Sequence, residues 1–585
     1  MRLSELPDIY CLGVKALGSC SYDLSNPSLT FFSIGQLATV VALIFAFSQL
    51  AKPIVKFRIA TRFTPYWVPW VGIALAILSV FAAAILRAWQ FRDLPVVGYP
   101  IFWEFVAGAF LVWASLLMIF RVTSKTRLSI HNAARYLQWS QSIIARGNVD
   151  DLREYGDEIS ISLSTAVKAC KCYEVRSMAA PTTADEKVPP TEFEGVCYTL
   201  LDLWADRQFS QILVTRCPQT AVQILLEVQN CRLYDSGAYA LVQELVGQAM
   251  SNLDSILHRE GGYSGLGRLK SFMSTAFGNP DFVNSRQRPL QAWQAYSQDR
   301  ISPSQVKLYG NAIDIALRAV IEEHRTSAFY AALSSALHVV NGIAQRAAWA
   351  MNRISEGELS QSEWSTLLYE CGNIHSKVIA TIASLPAEQQ PSTQVANIDA
   401  AAYDPIKDHS IFGAIARKAY EYVESLAICR GHGDTVRLDA IFLWDELFPH
   451  GTTDSYALNA VRQRFVFALR EKIDENLDTE HWYYPVVTRV LMAMWGIPDC
   501  PSDVQPLSNC SREESELYVY LYTKIKQNYV AIRRKSLEYA NDLLPQRVDY
   551  VEQPQSLRQT WFRGNATALS LIDPSYGKPN KTIVL

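Results

Sequence analysis

The glycine-rich stretch HREGGYSGLGRLKS, residues 258–271, comes nearest in this 585-residue chain to a phosphate cradle. Gly262 and Gly267 have the outer spacing of a P-loop, whose backbone N–H groups surround a phosphate while a Lys–Ser/Thr pair completes the site. Here Arg268 and Leu269 stand where that pair belongs, and a helical pattern precedes the loop where a strand is required. The stretch is therefore read as an interhelical loop presenting Arg259, Gly261, Gly262, Gly267 and Arg268 to a ligand or partner, not as a nucleotide site.

Metal and nucleophile chemistry finds less support. Cys371 and His375 lie one helical turn apart, and Cys429, His432 and Asp434 gather in CRGHGD. Neither is joined by a second pair at the spacing a zinc site needs, and CRGHGD reads as a glycine helix stop followed by an Asp434 cap. Cys170 and Cys172, one residue apart, also have an unusual zinc spacing. The sequence has no G-x-S-x-G elbow and no H-E-x-x-H pair. The adjacent acids Glu322/Glu323 and Glu513/Glu514 diverge by about 100° on a helix, so they read as solvated faces. No catalytic residue, metal ligand or cofactor is assigned.

The elements that hold these residues are helices, and the first of them are membrane-like. Three apolar runs, Leu29–Ala51, Trp67–Leu86 and Ile101–Phe120, contain Glu104 as their single charge. Each has the roughly 20 residues that span a hydrocarbon core of about 30 Å. Trp67, Trp70, Trp89 and Trp103 rim two of them, as suits the lipid–water boundary. Gly72 and Ala76 have the four-residue spacing of close helix packing. Ser33, Gln36 and Thr39 share one helical face, which either packs or lines an oligomeric pore.

Cations orient the runs. Lys52, Lys56, Arg58 and Arg62 follow the first, and Arg121, Lys125 and Arg127 follow the third, with no acid before Asp150. Short loops rich in Lys and Arg stay cytoplasmic. The expectation is a plasma-membrane protein with residues 1–28 outside, three spans within 29–120 and the remainder in the cytosol. The first run does not resemble a signal peptide, because about 28 residues precede it without a basic n-region or cleavage site. Cys11 and Cys20 would then face an oxidising space, as a bridge or as two thiols.

Beyond Phe120 apolar positions recur at three- and four-residue spacing, and strand-like alternation is nearly absent. A rod continuing the third span is expected to end near Gly147–Asn148, with a further helix over 149–174. Residues 121–175 form a juxtamembrane extension, 176–192 a Pro- and Thr-rich linker, and 193–384 a helical domain. A second linker at 385–408, a second helical region at 409–560 and a tail at 561–585 complete the division. The fold class is all-α: three N-terminal transmembrane helices and a large multi-helix cytosolic domain.

The net charge is −3, with eight basic and five acidic residues up to Phe120 and 46 against 52 beyond it. That balance argues against nucleic acid as a partner. The basic helix Lys524–Tyr539 reads as a solvated face over an apolar underside. The expected function is a sensor, scaffold or interaction domain held on the lipid bilayer, self-associating, with a cytosolic protein or small ligand as partner. A gated oligomeric channel is the alternative, and a membrane-bound enzyme of unknown reaction the third reading.

Overall fold

The computed structural model describes residues 51–62, 67–89, 99–179, 189–233, 238–260, 271–295, 301–323, 329–354, 362–385, 408–427, 443–448 and 455–477, with isolated residues and short pieces elsewhere. They fall into two units, Met1–Leu233 and Tyr234–Leu585.

In the first unit, α1 (Pro53–Thr61) occupies the cationic break between the first two apolar runs. The second and third runs are α2 (Val68–Trp89) and α3 (Pro100–Thr123). These two pack as an antiparallel hairpin around Ala76, Val80, Ala107 and Leu111. Arg87 at the end of α2 pairs with Glu104 at the start of α3, neutralising the one acid of the runs. Both helices are long and apolar enough to cross a membrane. Their outward faces leave Leu78, Phe81, Phe105, Val112, Leu116 and Ile119 exposed, whereas a core helix of a water-soluble domain would cover such residues. Among the described residues two candidate spans are thus present, where three were expected over the chain. The first run lies mostly outside the described residues, of which 38–42 are helical.

The continuous rod is not what forms. Helix α3 stops at Thr123, Ser124 turns extended (φ −87°, ψ 134°), and α4 (Ala133–Arg146) starts only after a non-helical stretch. Backbone donors there find side chains instead of carbonyls one turn back. Thr126 N–H goes to Glu158 Oε1 (2.7 Å), Leu128 N–H to Ser162 Oγ (3.0 Å) and Ser129 N–H to Asn132 Oδ1 (2.8 Å). The hydroxyls of Thr123 and Ser124 bond back to the carbonyls of Ile119 and Phe120, which loosens the last turn.

Helix α4 closes on Gly147, whose positive φ of 63° is the left-handed stop that glycine permits. Asn148 then caps α5 (Val149–Ile159) by accepting from Asp150 and Asp151 N–H. The single helix expected over 149–174 breaks at 160–162, and α6 (Leu163–Ala179) follows. Helices α7 (Glu192–Trp204), α8 (Arg207–Arg216) and α9 (Pro218–Asn230) complete the unit. A Thr191–Glu194 capping box starts α7 and Asp206 caps α8.

The second unit is built on long helices: α10 (Tyr239–Ser251), the short α11 (Ile256–Glu260), α12 (Phe272–Phe277) and α13 (Pro280–Asn284), then α14 (Pro303–Glu322), α15 (Tyr330–Met351), α16 (Glu363–Ala383), α17 (Ile411–Ala427) and α18 (Tyr456–Leu477). Ser302 opens α14 through a capping box with Gln305, with Pro303 in the first turn. Helix α15 packs on α16 and α17, α14 on α16, and α17 on α18. Among the described residues, four short strands, Val548–Val551, Ser556–Thr560, Ala566–Ala568 and Ile583–Val584, pair antiparallel around the second of them. They stand where the sequence reading expects helix and tail, their runs being too short to display an alternating pattern.

Candidate functional site

The residues singled out for their charge converge on one layer, a collar where α1 and the exit of α3 meet α4 and α5. Pro53 supplies a first-turn residue that needs no N–H partner. Ile54, Phe57 and Thr61, three and four residues apart, form the buried face of α1. Phe57 is fully buried against Tyr136 (centroids 4.9 Å apart, planes at 74°) and Tyr155 (5.5 Å, 81°), both edge-to-face. The Tyr155 tip is wired: Trp204 Nε1 donates to Tyr155 OH (3.0 Å), which donates to Ser140 Oγ (2.6 Å), which donates to the backbone carbonyl of Tyr136 (2.6 Å). Burial holds both phenols well above their usual range, so they stay neutral.

Beside this face and at the two ends of α1 stand the cations. Arg58 donates to Glu158 Oε2 from Nε (3.0 Å) and Nη2 (2.8 Å), and from Nη1 to Val122 O (2.8 Å). Glu158 has no exposed side-chain surface, and its second oxygen holds Thr126 N–H. Lys52 pairs with Glu154 at 2.6 Å in the open. Arg62 donates from Nη2 to Ser124 O (2.9 Å) with its guanidinium 4.5 Å above the Phe120 ring. Lys125 reaches Asp157 O (2.7 Å). The Asn132 amide donates to Thr61 O (2.7 Å) and Arg127 O (2.9 Å), tying the stretch after α3 to the end of α1. Arg121 is buried, Lys56 half-buried and Arg127 exposed.

Sequence reasoning saw these cations as acid-free, which holds only along the chain. It missed Glu154 and Glu158, which fold back onto them. The available signal was their four-residue spacing on the amphipathic 149–159 segment, which puts both on one helix face.

The remaining candidates scatter. Gly72 sits where Trp113 and Ala114 of α3 cross, so close that an added Cβ would lie 3.0 Å from the indole. Ala76 is fully buried in the same hairpin. Gln36 and Thr39 are exposed, with the Thr39 hydroxyl donating to Gly35 O (2.8 Å), while Ser33 lies outside the described residues. So do Gly261, Gly262, Gly267, Arg268, the CRGHGD turn, Cys11 and Cys20. Arg259 is exposed at the end of α11. Beside it Glu260 accepts from the N–H groups of Phe272 (2.8 Å) and Met273 (3.0 Å), so a carboxylate already sits where the loop re-enters helix.

In the second unit, Cys371 and His375 are both buried in α16. His375 Nε2 meets Asn341 Oδ1 at 2.8 Å, and Asn341 Nδ2 donates to Lys418 O (2.9 Å) and Glu421 Oε2 (3.2 Å). Two acceptors fix the amide orientation, so Oδ1 must accept and Nε2 must carry the imidazole proton. Burial, helped by the Lys418 charge, pushes the imidazole down to about 3. No group of three or more His, Cys, Asp or Glu converges as a metal site among the described residues.

Comparison with protein-family models, curated proteins and solved structures returned no match, so no chemistry is carried in from a relative.

Proposed function

We propose that the chain is a plasma-membrane protein with three spans and its N-terminus outside, whose helical body works in the cytosol as a sensor or interaction domain. One observation carries this reading: α1, which separates the first two apolar runs, is docked in the helical body through Phe57, Arg58–Glu158 and Thr61–Asn132. A displacement of the body therefore pulls on the ends of the apolar helices. A bound cytosolic protein, a small ligand or a second copy of the chain that shifts α4 or α5 would be felt in the bilayer through interfaces of this kind, which repack discretely.

The test is a protease-protection assay on intact cells carrying a C-terminal tag. The tag should survive external protease and be lost on permeabilisation, while a tag at Met1 should show the reverse pattern. External digestion of the C-terminal tag would sink the orientation. Size analysis and planar-bilayer recording of the purified protein separate an anchored sensor from a channel, since single-channel currents would move the protein to the latter class.

A further inference from the structure

Arg62 carries an unmet donor at the membrane-side face of the collar. Its Nη2 is engaged by Ser124 O and its plane lies over Phe120, but Nε is buried without a hydrogen-bond partner. A buried guanidinium N–H left unpaired is costly. Arg121, the residue after Phe120, is buried and feels the like charge of Arg62, so two cations share one field. Glu158, which also faces Arg62, has its two oxygens committed to Arg58 and Thr126.

A second observation lies beside the first. The stretch after α3 exposes Lys125, Arg127 and Arg135, and with them Ile130, 72 % exposed, more than any other large apolar side chain among the described residues. It is pinned at the level of the helix ends, by Asn132 on Thr61 O and by Arg135 Nη1 on Ala60 O (3.5 Å). Among the described residues no carboxylate lies within ion-pair distance of Arg62, Arg127 or Arg135. An isoleucine standing clear of the fold among cations fits the boundary between headgroups and acyl chains.

We propose that Arg62, Arg127 and Arg135, with Ile130, form a site for an anionic phospholipid, the guanidinium groups taking the phosphate and Ile130 entering the upper acyl chains. Planar guanidinium groups suit phosphate oxygens. The adjoining exposed faces of Leu116, Ile119 and Phe120 favour a lipid over a free anion. This site rests on the reading that α2 and α3 lie in the bilayer.

The experiment uses the full-length protein in neutral detergent. Phosphatidylglycerol, phosphatidylcholine or inorganic phosphate is added, and retained lipid is counted by native mass spectrometry. Wild type should retain phosphatidylglycerol over phosphatidylcholine, and Arg127→Gln and Arg135→Gln, both exposed positions, should each lower that preference about fivefold. Arg62→Gln should lower it further, with near-ultraviolet circular dichroism reporting that the fold survives. Equal retention of the two lipids by wild type, or an unchanged preference in the exposed-position variants, overturns the site. Displacement of the lipid by millimolar inorganic phosphate also overturns it, in favour of a small-anion site. Carbonate extraction of native membranes separates the two levels. A protein that washes off removes the bilayer reading and this site together, whereas one that stays but shows no lipid preference removes this site alone.

Discussion

Arg58 and Glu158 stand 100 positions apart in the chain and share a two-donor contact on one carboxylate oxygen, at 3.0 and 2.8 Å. The second oxygen holds the Thr126 backbone and the third guanidinium nitrogen holds Val122 O. One ion pair therefore joins α1, the exit of α3 and α5. Removing the cation strands a buried carboxylate, a change that typically costs several kcal/mol, although the pair as a whole can be close to neutral against apolar replacements.

Arg58→Ala is expected to destabilise the first unit by about 3 kcal/mol, read by chemical denaturation in detergent. Arg58→Lys should recover only part of this, because an ammonium cannot present the planar fork. In a double-mutant cycle with Glu158→Ala the two losses should be clearly less than additive. Additive losses would mean that the two side chains act independently.

Phe57→Ala should cost about 3–5 kcal/mol, the usual range for emptying a fully buried aromatic site. Phe57→Leu should cost less than about 1.5 kcal/mol if apolar volume is what the Tyr136–Tyr155 pocket requires. An alanine variant as stable as wild type would show that α1 is not held by its buried face.

The helical class, the ends of the apolar runs at Trp67 and Ile101, the stop at Gly147 and the start at Ser302 were legible because each rests on local chemistry: hydropathy, a left-handed glycine, a hydroxyl cap. The break at Ser124 was not, because the apolar spacing runs on through it. What ends the helix is a set of partners far along the chain, Glu158 and Ser162, that offer its amides a better bond. The collar was half legible. Its cations were read for what they say about a membrane, and their role as docking groups depended on carboxylates that only the fold brings near.

His375 gives a pH dependence with a definite sign. The folded protein holds the imidazole neutral down to about 3, while the unfolded chain takes up a proton near the ordinary histidine value. Below that value the unfolded state binds more protons, so this contribution is fully present above about pH 6.5 and is lost as pH falls toward 3. Between pH 6.5 and 5 the second unit should lose about 2 kcal/mol from this group. A His375→Gln variant should lack that component of the slope, which paired denaturation curves at the two pH values measure.

Gly72→Ile should part the α2–α3 hairpin, since even a Cβ at this position lies 3.0 Å from the Trp113 ring and 3.1 Å from Ala114 Cβ. A loss of about 1–3 kcal/mol follows from overpacking of this kind. Disulfide trapping between cysteines placed at Ala76 and Leu111 would report the separation directly, and unchanged trapping efficiency would show that the helices do not meet there.

The interruption after Thr123 also determines how a movement of α3 would reach α4 and α5. An unbroken helix would carry torque, turning the body whenever the span turned about its own axis. With an extended segment in its place, the coupling runs through cross-links, the Arg62–Ser124, Arg58–Val122 and Thr126–Glu158 contacts, and not along a shared helix axis. The junction is therefore held by side chains, and a change at Glu158 alters it without touching either apolar helix.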